Sequence, residues 1–134
     1  MRQEYIEKTI HEMNLDKYAD IPAGTYSGGN KRKLVVAIAM IGNPPVVFLD
    51  EPSNGMDPEA RRFMWKVISN VSTKNKNAAV ILVTQFMDEA EALSNKIAIM
   101  TGGRFQVFGG LAELKHKFGK GFEVELKLES LTQE

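Results

Sequence analysis

Cysteine is absent from the chain, which excludes disulfide bonds, thiolate metal sites and thiol nucleophiles and is compatible with a reducing compartment. Histidine is scarce: His11 and His116 lack any metal-ligand spacing and read as surface residues. No sign of charge dominates, because 17 lysines and arginines face 17 aspartates and glutamates. No overall field therefore draws the chain to nucleic acid or to an acidic membrane, and nucleic acid is not expected as a partner. Long apolar runs are missing too. The longest, Leu34 to Ile41, has eight residues, against roughly 20 for a membrane-spanning helix. The opening Met1-Arg2-Gln3-Glu4 lacks the layout of a signal peptide, and there are no internal repeats. With 43% hydrophobic and 25% charged residues over 134 positions, the composition is that of one ordinary globular domain.

Against this background one pair of segments stands out. Tyr26-Ser27-Gly28-Gly29-Asn30 precedes a helix predicted over Lys31 to Ile41, and Ser27 reads as its N-cap. Serine and two glycines at a helix start leave backbone N–H groups and the positive end of the helix open to phosphate oxygens. Downstream, Val46-Val47-Phe48-Leu49 reads as a short buried strand bounded by Pro44-Pro45 and Pro52, and it delivers Asp50 and Glu51 to its C-terminal edge. Open α/β sheets place ligands at that edge. Two adjacent carboxylates suit two tasks there, the first holding Mg²⁺ directly or through water and the second orienting or deprotonating an attacking water. Each segment alone has an ordinary explanation, a helix cap or a post-strand turn; their combination favours a nucleotide site.

Around this pair, Arg2 to Met13 predicts an amphipathic helix with Ile6, Ile10 and Met13 at helical spacing. The C-terminal half of the Lys31 to Ile41 helix is apolar all round and reads as buried. Pro58 opens a helix whose Met64, Val67, Ile68 and Val71 share a face, fraying in Ser72 to Asn77. Strand Ala79 to Thr84, helix Met87 to Leu93 and strand Lys96 to Met100 continue the alternation of a doubly wound sheet. Gly102-Gly103 predicts a hairpin turn into Arg104 to Phe108, followed by a helix Leu111 to Phe118 and a strand Phe122 to Leu128. The methionines and Trp65 read as packing. Lys31-Arg32-Lys33 reads equally as a solvated face or as a basic run near phosphate or a membrane-domain interface.

These segments, in this order and spacing, resemble the C-terminal part of an ATP-binding cassette domain of the kind found in subfamily A transporters associated with lipid export. Tyr26 to Asn30 resembles the signature motif, Val46 to Glu51 the Walker B strand with its catalytic glutamate, and Ser53-Asn54-Gly55-Met56-Asp57 the D-loop. Asn30, where most cassettes carry glutamine, together with Lys31-Arg32-Lys33-Leu34, Gly55 to Pro58, Ala60-Arg61-Arg62 and the stretch from Gly103 to Gly119, looks like subfamily A. The resemblance runs from about Leu15 to Leu128. It implies an α/β fold, a partial P-loop NTPase-type domain lacking the P-loop strand. Residues 1–44 would be part of the helical signature subdomain, 45–101 the Walker B, D-loop and switch portion of the ATPase core, and 102–134 a C-terminal hairpin, helix and strand.

Two departures from the family pattern matter. No Gly-x-x-x-x-Gly-Lys-Ser/Thr run exists, and the nearest miss, Gly24 to Gly29, has Asn30 in place of the lysine. The chain therefore reads as a fragment of a cassette. If the family strand order holds, the missing strand belongs between the Val80 and Ile97 strands, and its loss predicts exposed strand edges and marginal stability. The second departure is Gln85, which stands after the Ala79 strand where the family usually has a histidine touching the γ-phosphate. A histidine can carry charge and move protons near neutral pH, whereas an amide only donates and accepts hydrogen bonds, so slower hydrolysis is expected.

Carried over residue by residue, the resemblance implies that Ser27, Gly28, Gly29 and Asn30 bind the γ-phosphate of ATP held by an opposing cassette. Asp50 would hold Mg²⁺, Glu51 would be the general base, Gln85 a weakened γ-phosphate sensor, and Asp57 a contact across the dimer rather than only a helix-start carboxylate. The implied partners are a second nucleotide-binding domain in a head-to-tail ATP sandwich and the transmembrane domains of the transporter, with this domain on the cytoplasmic side of the membrane. The isolated chain is expected to be inactive as an ATPase. Two other readings are open: a degenerate cassette that clamps nucleotide without turnover, and a half-cassette that acts as an interaction module.

Overall fold

In the computed structural model, residues 2–74 and 78–119 are described. Among these residues five α-helices and four β-strands follow in the order α1 (Arg2–Glu12), α2 (Gly28–Met40), β1 (Val46–Asp50), α3 (Pro58–Lys74), β2 (Ala79–Val83), α4 (Met87–Leu93), β3 (Ile97–Thr101), β4 (Arg104–Gly109) and α5 (Leu111–Phe118). The predicted strand Phe122 to Leu128 and residues 75–77 lie outside the described residues. The chain divides into two compact units at Ser94/Asn95.

In the first unit β1 and β2 pair in parallel, Val46 opposite Ala79 through Asp50 opposite Val83. A parallel pair needs a crossover, and α3 supplies it. The inner face of β1 carries Val47 and Leu49 into a core with Met13 and Leu15 from the segment just after α1, Val36 and Ala37 of α2, and Met64 and Ile68 of α3. Met64 and Ile68 are four positions apart and share one side of α3, as the helical periodicity predicts. Between α1 and α2 the chain makes two 3-10 turns, Asp16–Tyr18 and Ala23–Thr25. The Tyr26 hydroxyl donates to the Tyr18 carbonyl, and the two rings pack with centroids 5.5 Å apart, which fixes the approach to Ser27.

Two expectations about burial are corrected. The β1 run is not buried on both sides: Leu49 is 5% exposed but Phe48 is 71% exposed, and Val46, Ile81 and Val83 are open on the same side of the strand pair. Parallel sheets are normally covered on both faces; here the described residues cover one. Nor is the C-terminal half of α2 buried all round, since Val35 and Ile38 are 61% and 59% exposed while Val36 and Ala37 are buried. A 100° step between successive residues lets only one stripe of a helix meet the core.

The second unit is an antiparallel hairpin, β3 and β4, with a register shift between Ile99 and Met100. Gly102 and Gly103 form its two-residue turn, both at positive φ (58° and 72°), the conformation such a turn needs and a β-carbon resists. The Glu113 carboxylate accepts from the Gly110 N–H at 3.4 Å at the start of α5. β2 and β3 belong to separate two-stranded sheets. Among the described residues no helix is long and apolar enough to cross a membrane.

Candidate functional site

The signature-like segment starts α2 three residues earlier than predicted, at Gly28, so both glycines lie in its first turn. The Ser27 Oγ accepts from the Asn30 N–H at 3.3 Å, and the Lys31 N–H bonds the Ser27 carbonyl at 2.9 Å. An α-helix leaves its first N–H groups without intrahelical acceptors, and they point out of its N-terminus. Beyond its chain neighbours and the backbone of its own helix, a β-carbon on Gly28 or Gly29 would meet no atom within 4 Å. Neither glycine is therefore required by packing within the described residues. Both keep the helix entrance open.

At the other segment, β1 ends with Asp50 exposed and Glu51 half-buried. Glu51 has φ 45°, in the left-handed region that a long side chain seldom occupies. Such a residue stays there only when its surroundings hold it, at a cost of about 1–3 kcal/mol. The holding contacts are visible. The Glu51 N–H bonds the Val83 carbonyl at 2.8 Å, extending the β1–β2 ladder by one residue, and the Asn54 N–H bonds the Glu51 carbonyl at 3.2 Å. On the side chain, Glu51 Oε2 accepts from Asn54 Nδ2 at 2.6 Å and from Gln85 Nε2 at 3.3 Å. A carboxylate held by two amides is oriented without being neutralised by a cation.

Of the residues named from sequence, the structure brings Glu51 and Gln85 together, at the ends of β1 and β2. Among the described residues, the hydrogen bonds of this cluster do not involve Ser27 to Asn30. Asp57 stands at the start of α3, where its Oδ1 accepts from the N–H groups of Glu59 at 3.0 Å and Ala60 at 2.9 Å. The Ala60 hydrogen bond is the largest cause that holds the Asp57 carboxyl below its ordinary value, with Glu59 and the charge of Lys33 acting the same way. Lys33 itself lies over the Phe63 ring at 4.7 Å, so part of the basic run packs between α2 and α3. His11, on the surface, meets Asp16 at 3.0 Å.

Three side-chain placements are not legible in the sequence. Asn54 belongs to the Ser53 to Asp57 motif, but nothing in that spelling assigns it to Glu51. Trp65, read as packing, also donates its indole N–H to Glu89 Oε1 at 2.9 Å. Glu89, which a hydrophilic helix segment would place in solvent, is fully buried.

The donor set fits a metal carried by substrate better than one caged by protein. No cluster of three or more His, Cys, Asp or Glu side chains suited to a metal occurs among the described residues. Mg²⁺ commonly takes one or two carboxylates and fills its remaining positions with phosphate oxygens and water. One exposed aspartate at a strand end, Asp50, meets that need.

The family described as ABC transporter matches residues 1–54. The chain is 52% identical over 131 residues to the retinal-specific phospholipid-transporting ATPase ABCA4 of Homo sapiens, a match spanning 95% of this chain and 6% of that protein. It is 46% identical over 125 residues to ATP-binding cassette sub-family A member 2 of Homo sapiens, covering 93% of this chain and 5% of that protein. It thus spans a small fraction of the length of these curated relatives. A solved ATP-binding subunit of an ABC transporter superposes with a TM-score of 0.74 at 25% identity, over 89% of this chain and 50% of the other.

Proposed function

The chain belongs to the ATP-binding cassette transporters, as a C-terminal portion of a nucleotide-binding domain of the subfamily A kind, and from this premise we propose that it supplies part of a composite ATP-hydrolysing site that drives lipid transport. Lipid as cargo rests on the phospholipid-transporting relative. In this reading the open N-terminus of α2, with Ser27, Gly28, Gly29 and Asn30, receives the γ-phosphate of ATP held by an opposing cassette. Asp50 would hold a Mg²⁺ arriving with nucleotide on its own side, and the ion would supply screening of the phosphate charge. Asp57 faces the partner cassette, and the whole domain works on the cytoplasmic side of a membrane through transmembrane domains of the same transporter.

Glu51 takes the proton of the attacking water as its oxygen bonds to the γ-phosphorus and the bond to the bridging oxygen of ADP breaks. Gln85 donates a hydrogen bond towards the γ-phosphate from the place where the family carries histidine. The observation that carries this reading is Glu51 itself, a carboxylate in a left-handed conformation whose Oε2 is held by Asn54 and Gln85. Strain maintained by several contacts is typical of functional positions. The test is Glu51→Gln in the full-length protein. MgATP binding should persist while turnover falls by about 10²–10⁴, the usual contribution of a positioned general base. Turnover near the unaltered rate would refute the assignment.

Gln85 favours a second reading, a cassette that clamps nucleotide and regulates without turning it over. An amide at this position cannot accept a proton or carry charge.

A further inference from the structure

We propose that Glu89 is a positioning residue for hydrolysis, which holds α4 to α3 through Trp65 and so keeps the Gln85 amide on Glu51. This rests on the reading of Glu51 as general base. α4 has seven residues, too few to hold its place by helical propensity, so its position must come from tertiary contacts. α3, with 17 residues, is the rigid element beside it.

Side-chain contacts of Trp65 and Arg61 join them. Glu89, fully buried, accepts the Trp65 indole N–H on Oε1 at 2.9 Å. Arg61 of α3 lies 5.9 Å from the Trp65 ring and 5.2 Å from the Phe86 ring, with its guanidinium 3.9 Å from Asp88. The Arg61–Asp88 pair is partly solvated and long, and contributes little. The buried contact is the stronger constraint. Phe86 supplies the carbonyl that accepts the first hydrogen bond of α4, from Ala90 at 3.1 Å, and Gln85 is the residue before it. Whatever fixes α4 therefore fixes the backbone from which Gln85 reaches Glu51. At 3.3 Å that bond is already near the end of the useful range, so a shift of about half an ångström breaks it.

The chemistry of Glu89 argues that it has more than a packing role. Its second oxygen, Oε2, is buried without a hydrogen-bond partner among the described residues. Taking a carboxyl group out of water and leaving one oxygen unsatisfied is costly, and an apolar residue of similar volume would fill the space without that cost. What an apolar residue cannot do is accept the Trp65 N–H and set the rotation of α4 against α3. The sequence holds no hint of this, since a glutamate in Met87-Asp88-Glu89-Ala90-Glu91 reads as one more solvated charge.

The experiment measures MgATP hydrolysis by the full-length protein carrying Trp65→Phe, Glu89→Ala or Glu89→Gln, each with Gln85 intact and with Gln85→Ala. Trp65→Phe removes the donor and keeps an aromatic body for Arg61. Glu89→Gln keeps the acceptor. Trp65→Phe and Glu89→Ala should each lower kcat about tenfold with KM for ATP changed less than about twofold, the pattern of lost positioning. Glu89→Gln should restore kcat to within about twofold of the unaltered protein, because the amide oxygen still accepts. With Gln85→Ala already in place, Trp65→Phe should have no further effect, because the route through Gln85 is gone. An unchanged kcat in Trp65→Phe overturns the inference. So does an undiminished loss on top of Gln85→Ala, a Gln85→Ala protein as fast as the unaltered one, or Glu89→Gln as slow as Glu89→Ala. If Glu89→Ala fails to fold, Trp65→Phe and Glu89→Gln decide. Glu51→Gln in the same assay separates the two levels. If it hydrolyses ATP normally, the reading of the site fails, whereas if it is inactive and Trp65→Phe is fully active, only the role of Glu89 fails.

Discussion

Gln85 and Glu51, 34 positions apart in sequence, meet through one hydrogen bond from the amide Nε2 to the carboxylate Oε2 at 3.3 Å. The amide shares that oxygen with Asn54. Glu51 is thereby oriented by two neutral donors.

Histidine at position 85 tests whether the amide is an impairment. Gln85→His in the full-length protein should raise ATP turnover about tenfold and introduce a dependence on pH near the ordinary histidine range of about 6.5. Steady-state hydrolysis measured from pH 5.5 to 8.5 checks both. A flat response, with Glu51→Gln still inactive, would remove the clamp reading.

Gly29 separates stability from function. The space beside it is open and alanine is favoured over glycine in a helix by up to about 1 kcal/mol, so Gly29→Ala should leave the thermal midpoint of the 134-residue chain unchanged or slightly raised. If the start of α2 receives phosphate as proposed, the same β-carbon would obstruct it in the full-length protein, and turnover should fall by about tenfold or more, as when a backbone donor to a developing charge is displaced. Gly55, at φ 73°, behaves oppositely: Gly55→Ala should destabilise the chain by about 1–2 kcal/mol, the penalty of a left-handed alanine.

Asp57 gives a pH dependence with a definite sign. Its carboxyl is held below the ordinary 3.8 in the folded chain, so the folded state favours the charged form. The stabilisation is fully present above pH 3.8 and is lost as pH falls through the depressed folded value. Chemical denaturation of the chain and of Asp57→Ala should show a constant gap from pH 7 to about 5 and a closing gap below pH 3.8. A gap that widens on acidification would contradict the capping geometry.

The one-sided strand pair predicts two unlike neighbours. Leu49→Ala should cost about 2–5 kcal/mol, as deletions in a packed core do. Phe48→Ser, at an exposed site, should change stability by less than about 0.5 kcal/mol. Phe48→Lys should instead reduce self-association of the 134-residue chain, because open apolar faces and unpaired strand edges promote it. Sedimentation velocity across a concentration series reads that change.

Much of the element order was legible because its causes are local. The helices expected over Met87 to Leu93 and Leu111 to Phe118 lie at those bounds, Ser27 caps α2, and Gly102-Gly103 turns the hairpin. The early start of α2 was not legible, because glycine is a poor helix former and its place in the first turn depends on Ser27 closing onto Asn30. Asp50 and Glu51 could be named as a pair from their position after an apolar run. That Glu51 turns left-handed and meets Gln85 could not, because the contact needs the parallel register of β1 on β2, set across α3.

The sequence by itself determined the order of the helices and strands and roughly where each lies, which hairpin turn is built of glycine, and which motifs relate the chain to a nucleotide-binding family. Those features depend on neighbours a few bonds away, and steric and hydrogen-bonding rules act at that range. Tertiary structure alone decided that Phe48 and Val35 face outward, that Glu89 is sealed against Trp65, and that two amides hold Glu51. Burial and long-range hydrogen bonds exist only once distant segments are packed against each other, and no residue carries that information in its own chemistry.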